Sequence, residues 1–256
     1  MSFPSPLIGI LGGMGPQAGL DLAEKLMGLT RASRDQDHLP FILFSLPEMV
    51  SDRTAFLLGQ QPVNPAQAIA EQFGKMAGVG CTIAVMACNT AHAGPIFDAT
   101  VELLKERGIK LRILHMVRET VAYIAGNWPG IRRVGVLGTR GTYRTGLYDQ
   151  ALEDAGLEPV LPDAGTRARV HDAIYSTEYG IKARPGAISE EAGKRIREAF
   201  RHLLDLGAEA VILGCTELPL AVTEKQIDGI PVLDPAMIIA EQLIRETYPE
   251  KLLSPG

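Results

Sequence analysis

Two cysteines stand at similar places in distant parts of the chain. Cys88 lies in MACNTAH (86–92) and Cys215 in ILGCTEL (212–218), each directly after an apolar run. A thiolate is a base and a nucleophile, and it forms more readily at a helix start, where free N–H groups and the helix dipole favour negative charge. The small polar residues that follow each cysteine predict such a helix start. The pattern therefore indicates two reactive thiols.

The alternative interpretation is that these cysteines are small buried hydrophobic residues, which is the commonest state of a free cysteine. It would account for either residue taken alone. The matched placement of Cys88 and Cys215 favours the reactive interpretation instead. Cys81 has no counterpart, because Ala208 stands at the corresponding position of the second half. We therefore interpret Cys81 as structural.

The two halves of the chain resemble each other. Gly12 precedes Cys88 by nearly the same interval as Gly138 precedes Cys215. Three pairs of similar blocks occur in the same order: IGILGGMGP (8–16) with VGVLGTRGT (134–142), TIAVMACNT (82–90) with AVILGCTEL (210–218), and LRILHMVRETVA (111–122) with IPVLDPAMIIAE (230–241). This order indicates an internal repeat.

Strand-length apolar runs alternate with helix-period segments, which predicts an α/β fold with parallel sheets. The predicted strands are 7–11, 41–46, 82–87, 112–116, 134–138, 158–162, 210–214 and 230–234, and the clearest helical segments are 66–78, 96–107, 145–155 and 189–206. Ligands of open parallel sheets bind beyond the carboxyl ends of the strands, where both cysteines lie. We predict two pseudo-symmetric parallel-sheet α/β domains with the active site in the cleft between them.

The domain boundaries follow from the repeat. The first predicted domain is 1–128, joined by a C-terminal helix within 235–256, and the second is 129–234. The segment NWPGIRR (127–133) contains Pro and Gly and is typical of a linker between them.

Composition excludes several classes of protein. The 256 residues are 46% hydrophobic and 21% charged, with a net charge of −5 and no long basic run, which argues against nucleic acid as a partner. No apolar run is long enough for a membrane span, and MSFPSP at the start lacks a basic signal region. An odd number of cysteines favours a reducing cytoplasm, and no Cys or His spacing predicts a metal site. We expect a small-molecule ligand.

The segment GGMGP (12–16) is a glycine-rich turn between a predicted strand and helix. Its N–H groups could hold a carboxylate or phosphate. With Ala18 it also matches the weak dinucleotide pattern G-x-G-x-x-A, and Glu48 could then be the ribose acid. Pro16 inside the turn and the lack of a separate substrate domain argue against nucleotide binding.

Three further side chains could take part in chemistry. Arg53 is predicted in a loop, where its guanidinium could bind a carboxylate with two hydrogen bonds, although most such arginines are solvated. The same two possibilities apply to Lys182. His92, four residues after Cys88, would lie one helical turn along on the same face, and a capping or packing role fits it better than proton transfer.

At these residues the sequence resembles the aspartate/glutamate racemase family. The resemblance covers nearly the whole chain and is carried, in family order, by GILGGMGP, RDQDH, DRTAFLLG, CNTAH, GTRGTY, YGIKA, GCTEL and DPAMIIAE. It implies two similar domains with the site between them, often in a homodimer, and racemisation of an amino acid without a cofactor.

The resemblance also implies the roles of individual residues. Cys88 and Cys215 would be the two acid/base groups, and Arg53 and Lys182 would bind the distal carboxylate of the substrate. The remaining contacts to the amino acid would come from Met14, Asn89, Thr90, Thr142, Thr216 and Glu217. Ser51 departs from the family pattern, which has proline there, and Glu48 stands near a usual amide. A carboxylate there would disfavour an acidic substrate unless it points away or pairs with Arg53.

The residues themselves fit one reaction well, namely removal of an α-proton by one thiolate and its replacement from the opposite face by a thiol. Three alternatives stay open. One is an isomerase acting on a dicarboxylate, similar to maleate isomerase, with one cysteine adding covalently. A decarboxylase would need only one of the cysteines, and an amino-acid-binding protein would need neither.

Overall fold

The computed structural model describes residues 6–184 and 186–253. Three parts of the chain lie outside the described residues: the opening segment (1–5), Pro185 and the end of the predicted C-terminal segment (254–256). The prediction that the opening segment lacks a signal region falls on the first of them. Within the described chain, no helix has both the length and the apolar character needed to cross a bilayer. The chain divides into two compact units. The first comprises the described residues within Met1–Asp52, Val63–Glu119 and Ala236–Gly256, and the second comprises Arg53–Pro62 and Thr120–Pro235.

Helices and strands alternate as the apolar pattern predicts. The strands are β1 (Leu7–Leu11), β2 (Phe41–Phe44), β3 (Cys81–Met86), β4 (Arg112–Leu114), β5 (Arg133–Gly138), β6 (Glu158–Val160), β7 (Ala210–Gly214), β8 (Gln226–Ile227) and β9 (Ile230–Leu233). The helices are α1 (Pro16–Gly28), α2 (Arg53–Leu57), α3 (Ala66–Gly78), α4 (Gly94–Glu106), α5 (Met116–Asn127), α6 (Arg140–Arg144), α7 (Asp149–Asp154), α8 (Ala164–Tyr175), α9 (Glu190–Asp205) and α10 (Pro235–Thr247).

The first unit contains a four-stranded parallel sheet in the order β2-β1-β3-β4. Its central strand β1 is buried along its whole length, as expected for a strand that is covered on both faces. Helix α10 packs into the core of this unit through a row of apolar residues, Ala236, Ile239, Ala240, Leu243 and Ile244. Each large aliphatic side chain buried in this way contributes roughly 1.5–3 kcal/mol.

The second unit contains a five-stranded sheet in the order β6-β5-β7-β9-β8. Its first four strands are parallel and repeat the order of the first sheet, with β5, β6, β7 and β9 in the places of β1, β2, β3 and β4. The predicted α/β fold with an internal repeat is therefore confirmed. The core lies mainly between this sheet and helices α8 and α9.

Helix α9 shows why these segments are helical. Ser189 caps its start by accepting a hydrogen bond from the N–H of Ala192 at 3.1 Å. Its buried residues recur at helical spacing on one face: Ala192, Gly193, Ile196, Ala199, Phe200 and Leu203.

Strand β8 departs from the predicted all-parallel arrangement, because it pairs with β9 antiparallel. The connecting residues Asp228 and Gly229 both have positive φ, 51° and 78°. Asp-Gly in this conformation forms a two-residue hairpin turn. A short hairpin is therefore added at the edge of the second sheet.

The bounds of two predicted segments, one helix and one strand, differ from the structure for reasons that local contacts explain. The predicted helix 145–155 begins only at Asp149, as α7, because Gly146 (φ +58°) adopts a conformation that interrupts a helix. The predicted strand 112–116 stops at Leu114, because His115 caps α5, its Nδ1 accepting a hydrogen bond from the N–H of Arg118 at 3.3 Å. Residues 128–132 connect α5 to β5 inside the second unit.

Candidate active site

Cys88 follows β3 in an extended conformation (φ −163°, ψ 114°) and is 5% exposed. Strand β3 lies between β1 and β4, so the carboxyl end of a central strand positions this thiol. The Thr90 hydroxyl oxygen lies 3.3 Å from the Cys88 sulfur. Asn89 is buried beside it with 2% exposure. A hydroxyl that can donate or accept a hydrogen bond is thus placed at the sulfur.

The prediction that an α-helix begins after each cysteine is wrong, because the first helical element after each cysteine is a 3-10 helix. Cys88 is followed by a 3-10 helix, Asn89–His92, and α4 begins only at Gly94. Cys215 is followed by Thr216 and Glu217 and then by the 3-10 helix Leu218–Leu220. Such short turns lack the aligned peptide dipoles of a full helix, so no helix dipole at these positions favours a thiolate.

His92 is buried behind Cys88 and belongs to an aromatic cluster. Its Nδ1 lies 2.9 Å from the backbone carbonyl oxygen of Cys88. Its ring centroid lies 5.6 Å from that of Phe97 and 4.9 Å from that of His115. Burial and then the neighbouring His115 lower the pKa of His92 to about 3, and burial and then Arg118 lower the pKa of His115 to about 4. Both rings are therefore neutral near pH 7.

The lowered pKa values of His92 and His115 predict that the protein loses stability as the pH falls. Their pKa values are lower in the folded chain than the unfolded value near 6.5, so the unfolded chain binds more protons between pH 6.5 and 3. The stabilisation is complete above pH 6.5 and decreases as the pH falls toward the folded pKa values. For His92 the free energy of unfolding changes by at most about 1.4 kcal/mol per pH unit.

Urea unfolding at several pH values between 7 and 4 measures this dependence. We expect His92→Gln to show a shallower decrease than the unaltered protein, since the titrating ring is gone while all other groups remain. Equal slopes for the two proteins would contradict this account of His92.

Cys215 occupies the corresponding position in the second unit, directly after β7, which lies between β5 and β9. It is 7% exposed, and its sulfur donates a hydrogen bond to Oε2 of Glu217 at 3.0 Å. The other carboxylate oxygen of Glu217, Oε1, accepts a hydrogen bond from Nζ of Lys182. The hydroxyl of Thr216 also donates to Oε2, at 3.4 Å. These residues form one continuous polar group.

The charges in this polar group are determined by its own contacts. Burial alone would raise the pKa of Glu217, but Lys182, the Cys215 thiol and Arg53 outweigh burial and hold this pKa below its usual range. Burial alone would lower the pKa of Lys182, but Glu217 and Cys215 raise it above its usual value. Burial, and next the Glu217 carboxylate, raise the pKa of the Cys215 thiol well above its ordinary value. The contacts therefore favour an ion pair beside a neutral thiol.

Arg53 begins the short helix α2 and is 7% exposed, so it is not the solvated loop residue that its sequence context allowed. Hydroxyl contacts hold α2 against α6 and α8. Thr54 Oγ1 lies 3.4 Å from Oγ1 of Thr139, which caps α6, and accepts a hydrogen bond from the Tyr175 hydroxyl of α8 at 3.3 Å. The positive charge of Arg53 acts on both Lys182 and Glu217. Arg53, Lys182, Glu217 and Cys215 thus lie in one electrostatic group.

Thr142 is held by the backbone around it. With Thr139 it forms the reciprocal capping box of α6, and its hydroxyl donates to the carbonyl oxygen of Gly214 at 3.4 Å. It therefore lies next to the residue that precedes Cys215. In the first unit, Met14 is buried between β1 and α1, where Pro16 is the first residue of the helix.

Burial does not distinguish the three cysteines, since all of them are buried. Cys81 lies at the amino end of β3, whereas Cys88 follows the carboxyl end. Burial raises the pKa of the Cys81 thiol. Glu48 is exposed in the 3-10 helix Pro47–Met49. Among the described residues, no three His, Cys, Asp or Glu side chains are grouped as metal ligands.

The sequence pattern does not indicate that Lys182 pairs with Glu217, or that Glu217 contacts the sulfur of Cys215. The available signal was the presence of a carboxylate two residues after a cysteine at a strand end. The sequence pattern also does not indicate that Tyr148 lies beside Gly214. It is fully buried, and its ring packs against the backbone of Gly214.

Comparison with known proteins assigns the chain to a family. The sequence profile described as Asp/Glu/Hydantoin racemase matches residues 11–243. The chain is 30% identical over 180 residues to a glutamate racemase of Carboxydothermus hydrogenoformans, covering 68% of this chain and 60% of that protein. It is 25% identical over 252 residues to the broad specificity amino-acid racemase RacX of Bacillus subtilis, covering 94% of this chain and 98% of the relative.

A solved structure agrees with these sequence matches. The aspartate racemase of Picrophilus torridus superposes with a TM-score of 0.76 at 28% identity, covering 98% of this chain and 96% of that one. The match in sequence profile, in length and in fold leads to one conclusion. The chain belongs to the Asp/Glu/hydantoin racemase family.

Proposed function

We propose that the protein is an amino-acid racemase that interconverts L- and D-aspartate, or L- and D-glutamate, without pyridoxal phosphate. The observation that carries the proposal is the matched position of the two thiols. Cys88 follows β3 and Cys215 follows β7, and these strands hold the same place in two sheets of the same order. A reaction that inverts one carbon calls for similar groups of opposite protonation state, and a repeated fold supplies them.

In the proposed reaction the two cysteines act on opposite faces of one α-carbon. The Cys88 or Cys215 thiolate removes the α-proton, and the electrons of the broken C–H bond stay on the substrate. The other cysteine, as a thiol, gives its proton to the same carbon from the opposite face. The product is the mirror-image amino acid, and the reverse reaction exchanges the two roles.

Polar groups near each thiol would bind and orient the substrate. In this proposal Asn89 and Thr90 beside Cys88 contact the substituents of the α-carbon, together with Met14. Thr142, Thr216 and Glu217 do so on the side of Cys215. Hydrogen-bond donors directed at the α-carboxylate would stabilise the negative charge that grows there as the proton leaves.

Charge favours a substrate with a second carboxylate. Arg53 and Lys182 bring two positive charges and Glu217 one negative charge, so these three groups together carry +1. A distal carboxylate would bring their total charge to zero. Because Lys182 already contacts Glu217, this carboxylate would share Lys182 with Glu217 and bind Arg53 by a bidentate contact.

The relatives agree with this substrate class in part. Two of them bear the names glutamate racemase and aspartate racemase, and a third is named for broad specificity. We further expect the protein to work as a homodimer. We also expect it to occur in a reducing cytoplasm, where its three free cysteines would stay reduced.

Chiral chromatography under reducing conditions, without added cofactor, tests the proposal. L-Aspartate, L-glutamate and a panel of neutral amino acids serve as substrates. We expect D-enantiomers to appear, fastest for an acidic amino acid. Absence of racemisation across the whole panel would contradict the proposal. Turnover of a dicarboxylate such as maleate, or binding without turnover, would then favour the isomerase or the binding-protein alternative.

A further inference from the structure

Three residues of the second unit form a chain of direct contacts that ends at the proposed catalytic sulfur. Lys182 Nζ donates to one oxygen of the Glu217 carboxylate, and the Cys215 thiol donates to the other at 3.0 Å. Glu217 is 4% exposed and Cys215 is 7% exposed. Cys88 differs, because the side chain at its sulfur is the neutral hydroxyl of Thr90. The two thiols therefore face neighbours of different charge.

Charged and titratable groups from several elements act on Cys215 or on its partners. Lys182 comes from the 3-10 helix Ile181–Ala183, and Glu217 comes from the segment after β7. Arg53, on α2, acts on Lys182 and Glu217. Tyr143 and Tyr148 also sense the charge of Cys215, and burial raises the pKa of each phenol, so both are neutral.

Ionising Cys215 in this setting would create a thiolate beside a carboxylate. Two negative charges this close in a buried site repel each other, and the ammonium of Lys182 is already paired with Glu217. Keeping the proton on the sulfur avoids the repulsion and retains the hydrogen bond to Glu217. The geometry therefore favours one protonation state of this thiol over the other.

We propose that Glu217 is a positioning residue that keeps Cys215 as the proton-donating thiol in the resting protein, and that Lys182 keeps Glu217 charged for this purpose. The inference rests on the proposed function for the catalytic role of Cys215. The resting protein is then ready for the enantiomer whose α-hydrogen faces Cys88. During turnover the Cys88 thiolate takes the α-proton and Cys215 gives its own proton to carbon. A proton exchange with water afterwards restores both sulfurs.

Alkylation by iodoacetamide tests the proposal without measuring racemisation, because only the thiolate reacts. The rate of Cys215 modification is followed by mass spectrometry as a function of pH, and its midpoint is compared among variants. Glu217→Gln removes the negative charge and leaves Lys182, so we expect the midpoint to fall by about one pH unit or more. Lys182→Arg keeps a positive charge beside Glu217, so we expect its midpoint to stay close to that of the unaltered protein.

Glu191→Gln is the matched control, since Glu191 also pairs with a cation, Arg195 at 2.6 Å, but on α9. We expect it to leave the midpoint unchanged. A midpoint in Glu217→Gln that is unchanged or higher would overturn the proposal. So would an equal fall in both Glu217→Gln and Lys182→Arg, because general loosening of the site would then explain the reactivity.

A second measurement applies even where Glu217→Gln does not fold. In the variant Cys81→Ala/Cys88→Ala, Cys215 is the sole thiol, and its ionisation is followed by thiolate absorbance near 240 nm. We expect a thiolate only at alkaline pH in the folded protein. Ionisation of Cys215 near neutral pH with Glu217 in place would overturn the proposal, whether or not the protein racemises amino acids.

Discussion

Replacing Cys88 or Cys215 by alanine is expected to lower kcat/KM for racemisation by about 10²–10⁴-fold, the usual contribution of a positioned general acid or base. Each variant lacks one of the two groups that the proposed inversion needs, so conversion of either enantiomer is expected to slow. The double variant is expected to be little worse than either single one, because residues that act as a unit lose their effect together. Polarimetry from both enantiomers measures all three variants.

Cys81→Ala is the matched control for these variants. Cys81 is buried like the other cysteines, but it lies at the amino end of β3. We expect its loss to change stability by a small cavity cost and to leave kcat/KM within a factor of a few. Loss of activity in Cys81→Ala equal to that in Cys88→Ala would show that burial of a thiol, and not its place after the strand, is what matters.

The second large effect is expected at Gly214, the residue before Cys215. A Cβ atom there would lie 2.9 Å from the carbonyl oxygen of Leu137 and 3.2 Å from the ring of Tyr148. The first is backbone of the neighbouring strand and the second is a fully buried ring, so neither can move aside easily. Gly214→Ala should therefore lower the free energy of unfolding by about 1–3 kcal/mol and displace Cys215.

Urea unfolding measures the loss of stability, and the alkylation profile of Cys215 reports displacement of the thiol. Gly126→Ala is the control, because a Cβ at this position of α5 meets nothing within 4 Å. Alanine at a compatible helical position is expected to be neutral or to stabilise by up to about 1 kcal/mol. If Gly214→Ala were as stable and as active as Gly126→Ala, the close packing against Leu137 and Tyr148 would contribute to neither stability nor activity, and the prediction would be wrong.

Much of the fold could be predicted because the local spacing of apolar residues indicates the individual helices and strands. The helix over residues 66–78 has the predicted limits, since its apolar residues recur at helical spacing. Strands β1 and β7 likewise match their apolar runs. The likeness of the two sheets follows from the repeat, which is visible in the sequence without any knowledge of tertiary contacts.

The contacts of the candidate site could not be predicted in the same way. Lys182 and Glu217 are 35 residues apart, and their pairing depends on how the 3-10 helix Ile181–Ala183 meets the segment after β7. Arg53 looked like a solvated loop residue, because its burial results from the packing of α2 on α6. Such distances between side chains arise from tertiary packing, which sequence spacing does not encode.

Hydrogen exchange at the α-carbon tests the central claim most directly. A single unlabelled enantiomer is incubated in D₂O, and substrate and product are separated early in the reaction and analysed by mass spectrometry. Two thiols on opposite faces predict that the product carries deuterium while the recovered substrate keeps its hydrogen. Equal deuterium in recovered substrate and product would indicate a single base that serves both faces, and would contradict the assignment of Cys88 and Cys215 as a pair.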